Sequence, residues 1–160
     1  MNKKNKILSL AILLLVTVSC GFQPIYKIGN KANQTSEFSL NFYNEPSYET
    51  KNIIKSAFQD PQESILYSIN LAVEETQTPL IINSNGTVSK YRVQVVLTFE
   101  VVNVLTSNLA YKNTVRGFGE YLVQESEYAT EEKKKQVMSS STNEAVQLML
   151  TKIQANLLSS

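Results

Sequence analysis

The sequence predicts an α+β fold, a two-layer sandwich in the order β-α-β-β-β-α, with a four-stranded mixed sheet carrying two helices on one face. Three observations lead there. Four stretches alternate apolar with polar residues, the period of a half-buried strand. Two other stretches hold apolar residues at helical spacing behind residues that cap helices. Asn85-Gly86, the strongest short hairpin signal, separates two of the alternating runs. Strands with one polar face need a cover on the other, and the two amphipathic helices supply it.

The first strand is expected over Ser36–Tyr43, with Phe38, Leu40 and Phe42 inward. Asn44-Glu45-Pro46-Ser47 breaks it, and Ser47 or Thr50 can cap a helix to Phe58, ended by Asp60-Pro61. Its inner side would hold Ile53, Ile54, Ala57 and Phe58. Ile65–Glu75 alternates again, with Ile65, Tyr67, Ile69, Leu71 and Val73 on one face, and Pro79–Ile82 continues extended. Val88–Leu105 is the longest strand, with Tyr91, Val93, Val95, Leu97, Phe99 and Val101 together; Val96 and Val102 make its other face partly apolar, so a cover there is conceivable. Ser107-Asn108 turns the chain into Leu109–Gln124, where Gly117 and Gly119 suggest a bulge or a close backbone approach. The last three strands should form an antiparallel meander.

A final helix is expected from a Thr130 cap through Leu158, with Met138, Val146, Met149, Leu150, Ile153 and Leu157 as its apolar stripe. Ser139-Ser140-Ser141-Thr142 is poor in helix propensity and marks a point of weakening or a kink.

Ahead of this domain lies a different kind of segment. Lys3, Lys4 and Lys6 precede an apolar run from Ile7 to Val18, broken by Ser9 and Thr17, and Ser19 stands before Cys20, the only cysteine. A charged start, a short apolar core and a small residue at a cut site describe a secretory signal. The core, about 12 residues or roughly 18 Å as a helix, is short against a hydrocarbon thickness of ~30 Å. Cysteine at the cut makes it a bacterial lipobox, although Thr17 occupies the place that is usually Leu. The Cys20 thiol would carry diacylglycerol as a thioether and its freed amine a third acyl chain, and two or more chains hold stably. Gly21 in place of Asp points to the outer membrane under enterobacterial sorting rules. The expected organisation is therefore a cleaved signal at 1–19, a lipidated polar tether at 20–35 and one domain at 36–160.

Removing the signal leaves 141 residues, with 12 Lys+Arg against 14 Asp+Glu. That suits one domain with a real core and no general affinity for nucleic acid. A single cysteine forms no internal disulfide. The chain has no histidine, so Ser-His-Asp, Cys-His and His-ligated metal chemistry are excluded. No phosphate loop or dinucleotide fingerprint occurs. Adjacent Glu74 and Glu75 on a strand would face apart and could not act as an acid pair. The expectation is a non-enzymatic protein with no catalytic residue, metal or cofactor.

Lys90, Arg92 and Arg116 fall on two strands that should be neighbours, and Lys133-Lys134-Lys135 opens the last helix. Such cations can form a patch for lipid phosphates. The lysine run reads better as a solvated face balanced by Glu131 and Glu132. Tyr67, Tyr91, Tyr111, Tyr121 and Tyr128 fit interface anchoring, but mostly read as strand residues suited to a half-buried surface.

Four residue groups carry a resemblance. Cys20-Gly21-Phe22-Gln23-Pro24-Ile25-Tyr26 begins the mature chain, and Asn85–Val93 (NGTVSKYRV) turns into the central strand. Gly119-Glu120-Tyr121-Leu122-Val123 ends the last strand, and Ser126-Glu127-Tyr128-Ala129-Thr130 opens the final helix. In these groups, and in the order of its elements, the chain resembles the LptE family of lipopolysaccharide-assembly lipoproteins in its alphaproteobacterial form. The resemblance implies a lipoprotein inside the lumen of an LptD-type outer-membrane β-barrel, plugging it, helping it assemble and aiding lipopolysaccharide delivery to the outer leaflet. It makes Lys90, Arg92, Arg116 and Lys133 candidate lipopolysaccharide contacts. The turn Asn83–Gly86 has no basic residue, so Lys90 and Arg92 are the nearest replacements there, and the final helix carries Gln, Ser and Thr where relatives carry Glu and Arg. Two other readings share a lipobox or a small α+β domain: an auxiliary lipoprotein of a lipid-transporting ABC system, and a periplasmic small-ligand binder.

Overall fold

The computed structural model describes residues 38–58 and 65–157. The signal, Cys20, the tether, Asp60-Pro61 and the last three residues lie outside that range. The elements are β1 (Phe38–Phe42), α1 (Tyr48–Ser56), β2 (Tyr67–Ile82), β3 (Val88–Asn103), β4 (Leu109–Leu122) and α2 (Glu127–Leu157). The sheet order is β1-β2-β3-β4, with β1 parallel to β2 and the other pairs antiparallel. This is the expected β-α-β-β-β-α mixed sheet with two helices.

Alternation decides the faces. Ile69, Leu71 and Val73 of β2, Val95, Leu97, Phe99 and Val101 of β3 and Val115 of β4 are buried in one cluster. Ile54 and Phe58, in and just after α1, join it, as do Ala145, Val146, Met149, Leu150 and Ile153 from α2. Both helices therefore cover the face formed by the odd-numbered residues of β2–β4 and by Phe38, Leu40 and Phe42 of β1. The other face, with the even-numbered residues of β2–β4, is mostly polar; Val96 is buried within it, while no helix packs there among the described residues.

Ser47 caps α1 by accepting from the Thr50 N–H. Thr50 is thus not the cap but an interior residue, fully buried. The helix stops at Ser56, earlier than expected, in a tight turn where the Ala57 N–H donates to the Ile54 carbonyl and the Phe58 N–H to that of Lys55. β1 is short, and Asn44 prolongs its edge with a side chain. The Asn44 amide donates to the Val73 carbonyl at 2.7 Å and its oxygen accepts from the Val73 N–H at 2.9 Å. Beyond it, Glu75 accepts from the Ser47 N–H (3.0 Å), the Ser47 hydroxyl (2.7 Å) and the Thr50 hydroxyl (2.5 Å).

β2 runs unbroken through Pro79–Ile82, as the extended continuation of the alternating stretch suggested, and Pro79 is accommodated within it. Its register against β3 shifts just after Pro79. The outer side of Thr76–Ile82 has no partner strand among the described residues.

The glycines of β4 mark a close approach and not a bulge. Val93 pairs with Gly119 and Val95 with Gly117 in unbroken register, and the shift in this ladder lies at Val101/Val102. A Cβ on Gly117 would overlap the Ser141 carbonyl oxygen and come within 3.0 Å of the Ala145 nitrogen. One on Gly119 would meet the Ser141 hydroxyl at 2.8 Å. The middle of α2 therefore rests directly on β4 through small Ser141, while Thr142 faces the Thr50 hydroxyl of α1 at 3.4 Å. α2 is continuous through the serine run. The Ser141 and Thr142 hydroxyls donate to the carbonyls of Val137 and Met138, which satisfies them in the interior.

α2 also begins earlier than Thr130. Ser126 is its cap, accepting from the Ala129 N–H at 3.1 Å. Thr130 instead secures the approach to the helix, accepting from the Gln124 N–H at 2.9 Å and donating to the Ser126 carbonyl at 3.1 Å. The lysine run consequently sits one turn further in, away from the N–H groups at the positive end of the helix.

Candidate functional site

The open face of the sheet gathers three of the four candidate cations. Arg92 on β3 stands opposite Glu120 on β4, and Lys90 opposite Leu122. Glu120 bridges both: Lys90 Nζ lies 2.5 Å from one carboxylate oxygen and Arg92 Nη2 2.9 Å from the other. The Lys90 hydrogen bond, then that of Arg92, holds the Glu120 carboxyl below its ordinary range. Arg116 is on the same face of β4, exposed, and makes no ion pair among the described residues. Lys90 and Arg92 thus share one carboxylate, while Arg116 stands four residues from Glu120 along β4, on the same rung as exposed Glu74 of β2.

Apolar side chains frame this patch. The register shift after Pro79 puts Ile81 opposite Lys90, so Lys90 lies between exposed Ile81 and exposed Leu122. Exposed Phe118 falls between Arg116 and Glu120 along β4. Its backbone N–H, on the free edge of the sheet, donates to Glu144 of α2 at 3.0 Å. Cations alternating with apolar side chains suit an amphiphile with anionic headgroups: the guanidinium and ammonium groups meet phosphate, and the apolar neighbours meet acyl chains. Sequence reading missed Ile81, Leu122 and Phe118 as companions of the cations, and only the odd-even parity on β4 could have suggested the last two.

Lys133 is not part of the patch. It belongs to α2, on the other side of the sheet, where its ammonium donates to Gln136 at 2.8 Å. A shallow groove lined by Gln124, Tyr128, Glu132, Lys133 and Gln136 surrounds it. Lys134 and Lys135 pair with Glu131 and Glu132 at 3.3 and 3.4 Å, as a solvated, balanced face should. At the far end of the open face, Glu100 accepts from Lys112 (2.7 Å) and Tyr43 (3.0 Å). The Lys112 contact, then that of Tyr43, lowers its carboxyl.

Four of the five tyrosines are packing residues. Tyr121 is buried, stacks on Tyr91 at 5.5 Å and accepts from the Gln77 amide at 2.8 Å. Tyr67 stacks on Phe38, and Tyr111 meets Phe99 edge-on. Only Tyr128 is largely exposed. Glu74 and Glu75 face apart, Glu75 toward α1 and Glu74 outward.

No protein-family model matches the chain, and no curated protein does. Solved structures share its fold. A lipoprotein structure from Caulobacter crescentus superposes with a TM-score of 0.63 at 12% identity, covering 78% of this chain and 93% of that one. Rare lipoprotein B from Shewanella oneidensis gives 0.59 at 13% identity, covering 76% and 96%. A minor lipoprotein from Acinetobacter baumannii gives 0.55 at 14% identity, covering 76% and 92%. The structural resemblance is thus one of fold, to rare lipoprotein B and other bacterial lipoproteins, at low sequence identity.

Proposed function

We propose that this chain is an outer-membrane lipoprotein, anchored through acyl chains on Cys20, that plugs an LptD-type β-barrel, helps it assemble and aids lipopolysaccharide delivery to the outer leaflet. The observation that carries the proposal is the fold shared over nearly the full length of rare lipoprotein B. The signal ending at Cys20 and the LptE-like residue groups point the same way. A largely polar, ion-paired open face suits the polar lumen of a barrel. A lipid tether raises the local concentration of the domain beside a barrel in the same membrane. The role is one of binding and bracing, not catalysis.

Affinity-tagging the mature protein and identifying what travels with it tests this reading. An outer-membrane β-barrel should co-purify, and a clickable fatty acid should label the protein but not a Cys20→Ser variant. Co-purification with inner-membrane transporter components would favour the ABC-auxiliary alternative instead.

The cation patch would hold the phosphates of the lipid. Charge reversal in Lys90→Glu/Arg92→Glu should weaken lipopolysaccharide binding by at least about tenfold, since each charge-assisted bond contributes roughly 1.5–3 kcal/mol. Lys133→Glu should change it little. Binding unaffected by the double reversal would remove the patch from the mechanism.

A further inference from the structure

We propose that Glu120 is an internal counter-anion: in the free protein its carboxylate occupies the place between Lys90 and Arg92 that an anionic lipid headgroup takes on binding, and it thereby sets the affinity threshold of the patch. The inference rests on the cation-patch reading given above and deepens it.

Strand register brings the three side chains together. Arg92 stands directly opposite Glu120 on the β3–β4 ladder, and Lys90, opposite Leu122, is one diagonal step away. The carboxylate gives one oxygen to each cation, 2.5 Å from Lys90 Nζ and 2.9 Å from Arg92 Nη2. A phosphate headgroup presents the same kind of oxygen pair to the same donors. Glu120 is thus a local mimic of the ligand.

What else holds a carboxylate decides whether it can leave. Glu75 is fixed by a backbone N–H and two hydroxyls. Glu100 accepts from the Tyr43 hydroxyl besides its one lysine. Glu120 has no such neutral donor among the described residues; both of its bonds come from the cations themselves. An anion that takes Lys90 and Arg92 therefore removes everything that keeps the carboxylate in place. The side chains of Glu120, Lys90 and Arg92 are 35%, 30% and 49% exposed, so the exchange needs no opening of the core.

Apolar neighbours favour the exchange for a lipid. Exposed Ile81 and Leu122 flank Lys90, and exposed Phe118 lies next on this face of β4. An amphiphile gains contact with them on arrival, whereas a free inorganic ion does not. An exposed cross-strand ion pair contributes little to folding, so removing the carboxylate should leave the domain intact.

The test uses the full lipidated protein in a neutral detergent, with fluorescein-labelled lipopolysaccharide as the probe, read by anisotropy. Glu120→Gln should tighten binding by roughly two- to fivefold, the bias that one exposed ion pair imposes on an equilibrium. Glu120→Ala should do the same, and thermal melts verify that both variants fold. In a Lys90→Gln/Arg92→Gln background Glu120→Gln should change affinity little, because the site it competes for is gone. Equal tightening in both backgrounds would be a general effect of net charge and would overturn the counter-anion. Unchanged or weaker binding by folded Glu120→Gln and Glu120→Ala, where Lys90→Glu/Arg92→Glu does weaken it, would also overturn it and leave the patch standing. Binding insensitive to that double reversal would overturn the patch, and the counter-anion with it. Inorganic phosphate should displace the probe far less than unlabelled lipopolysaccharide does; equal displacement would overturn a lipid as the ligand.

Discussion

Gly117→Ala is expected to cost about 3 kcal/mol of folding stability, at the upper end for overpacking because the obstacle is backbone. The added methyl would overlap the Ser141 carbonyl oxygen and press on the Ala145 nitrogen. Neither can rotate away as a side chain could, so α2 must lift from β4. Its buried residues Val146, Met149 and Ile153 would then loosen from the sheet. For a domain of this size the loss corresponds to roughly 10 °C in Tm. Gly86→Ala is the control. Gly86 has φ +85°, so alanine there is strained, but its Cβ would meet nothing within 4 Å. The expected cost is about 1 kcal/mol, the local penalty of a left-handed residue. Urea unfolding of both variants checks the contrast; equal midpoints would mean that α2 does not rest on Gly117.

Glu75→Ala is expected to cost about 2–3 kcal/mol, roughly 5–10 °C, because one carboxylate organises the start of α1 through two hydroxyls and a backbone N–H. The buried Thr50 hydroxyl would be left with only the Thr142 hydroxyl, 3.4 Å away. The effect has a pH signature. Burial alone would raise the Glu75 carboxyl, but the Thr50 and Ser47 hydroxyls and the Ser47 N–H outweigh it, and the net shift is downward from 4.5. A carboxyl depressed by folding stabilises fully above its unfolded value and loses that contribution as pH falls through the folded one. The gap between wild type and Glu75→Ala should therefore be constant above about pH 5 and close on acidification. A gap that stayed constant down to pH 3 would show that the carboxylate charge is not what holds α1.

Most of the architecture was legible because period-two alternation is so regular here. Tyr91 to Val101 identified the inward face of β3 residue by residue, and the Asn85-Gly86 turn fixed the hairpin. The start of α2 was misread because Thr130, followed by two glutamates, is the stronger local signal; the tertiary structure uses Ser126 and gives Thr130 another task. The serine run looked like a weak point because propensity scales treat a helix as solvated. Against two glycines, small size is what the position requires. The three cations of the open face were legible as neighbours, since antiparallel strands with known turns fix the register. Their apolar frame was not, because Ile81 reaches Lys90 only through a register shift, and Lys133 was grouped with them because a sequence does not show which side of a sheet a helix covers.

Pro79 has a consequence for the company this molecule keeps. On β2 it shares the parity of Val73, whose N–H points outward to Asn44, so the missing N–H of Pro79 falls on the uncovered border. A stray strand from a second molecule would find no donor there and would then run into the shifted register. Copies of the domain at high concentration are thereby discouraged from zipping together into fibrils.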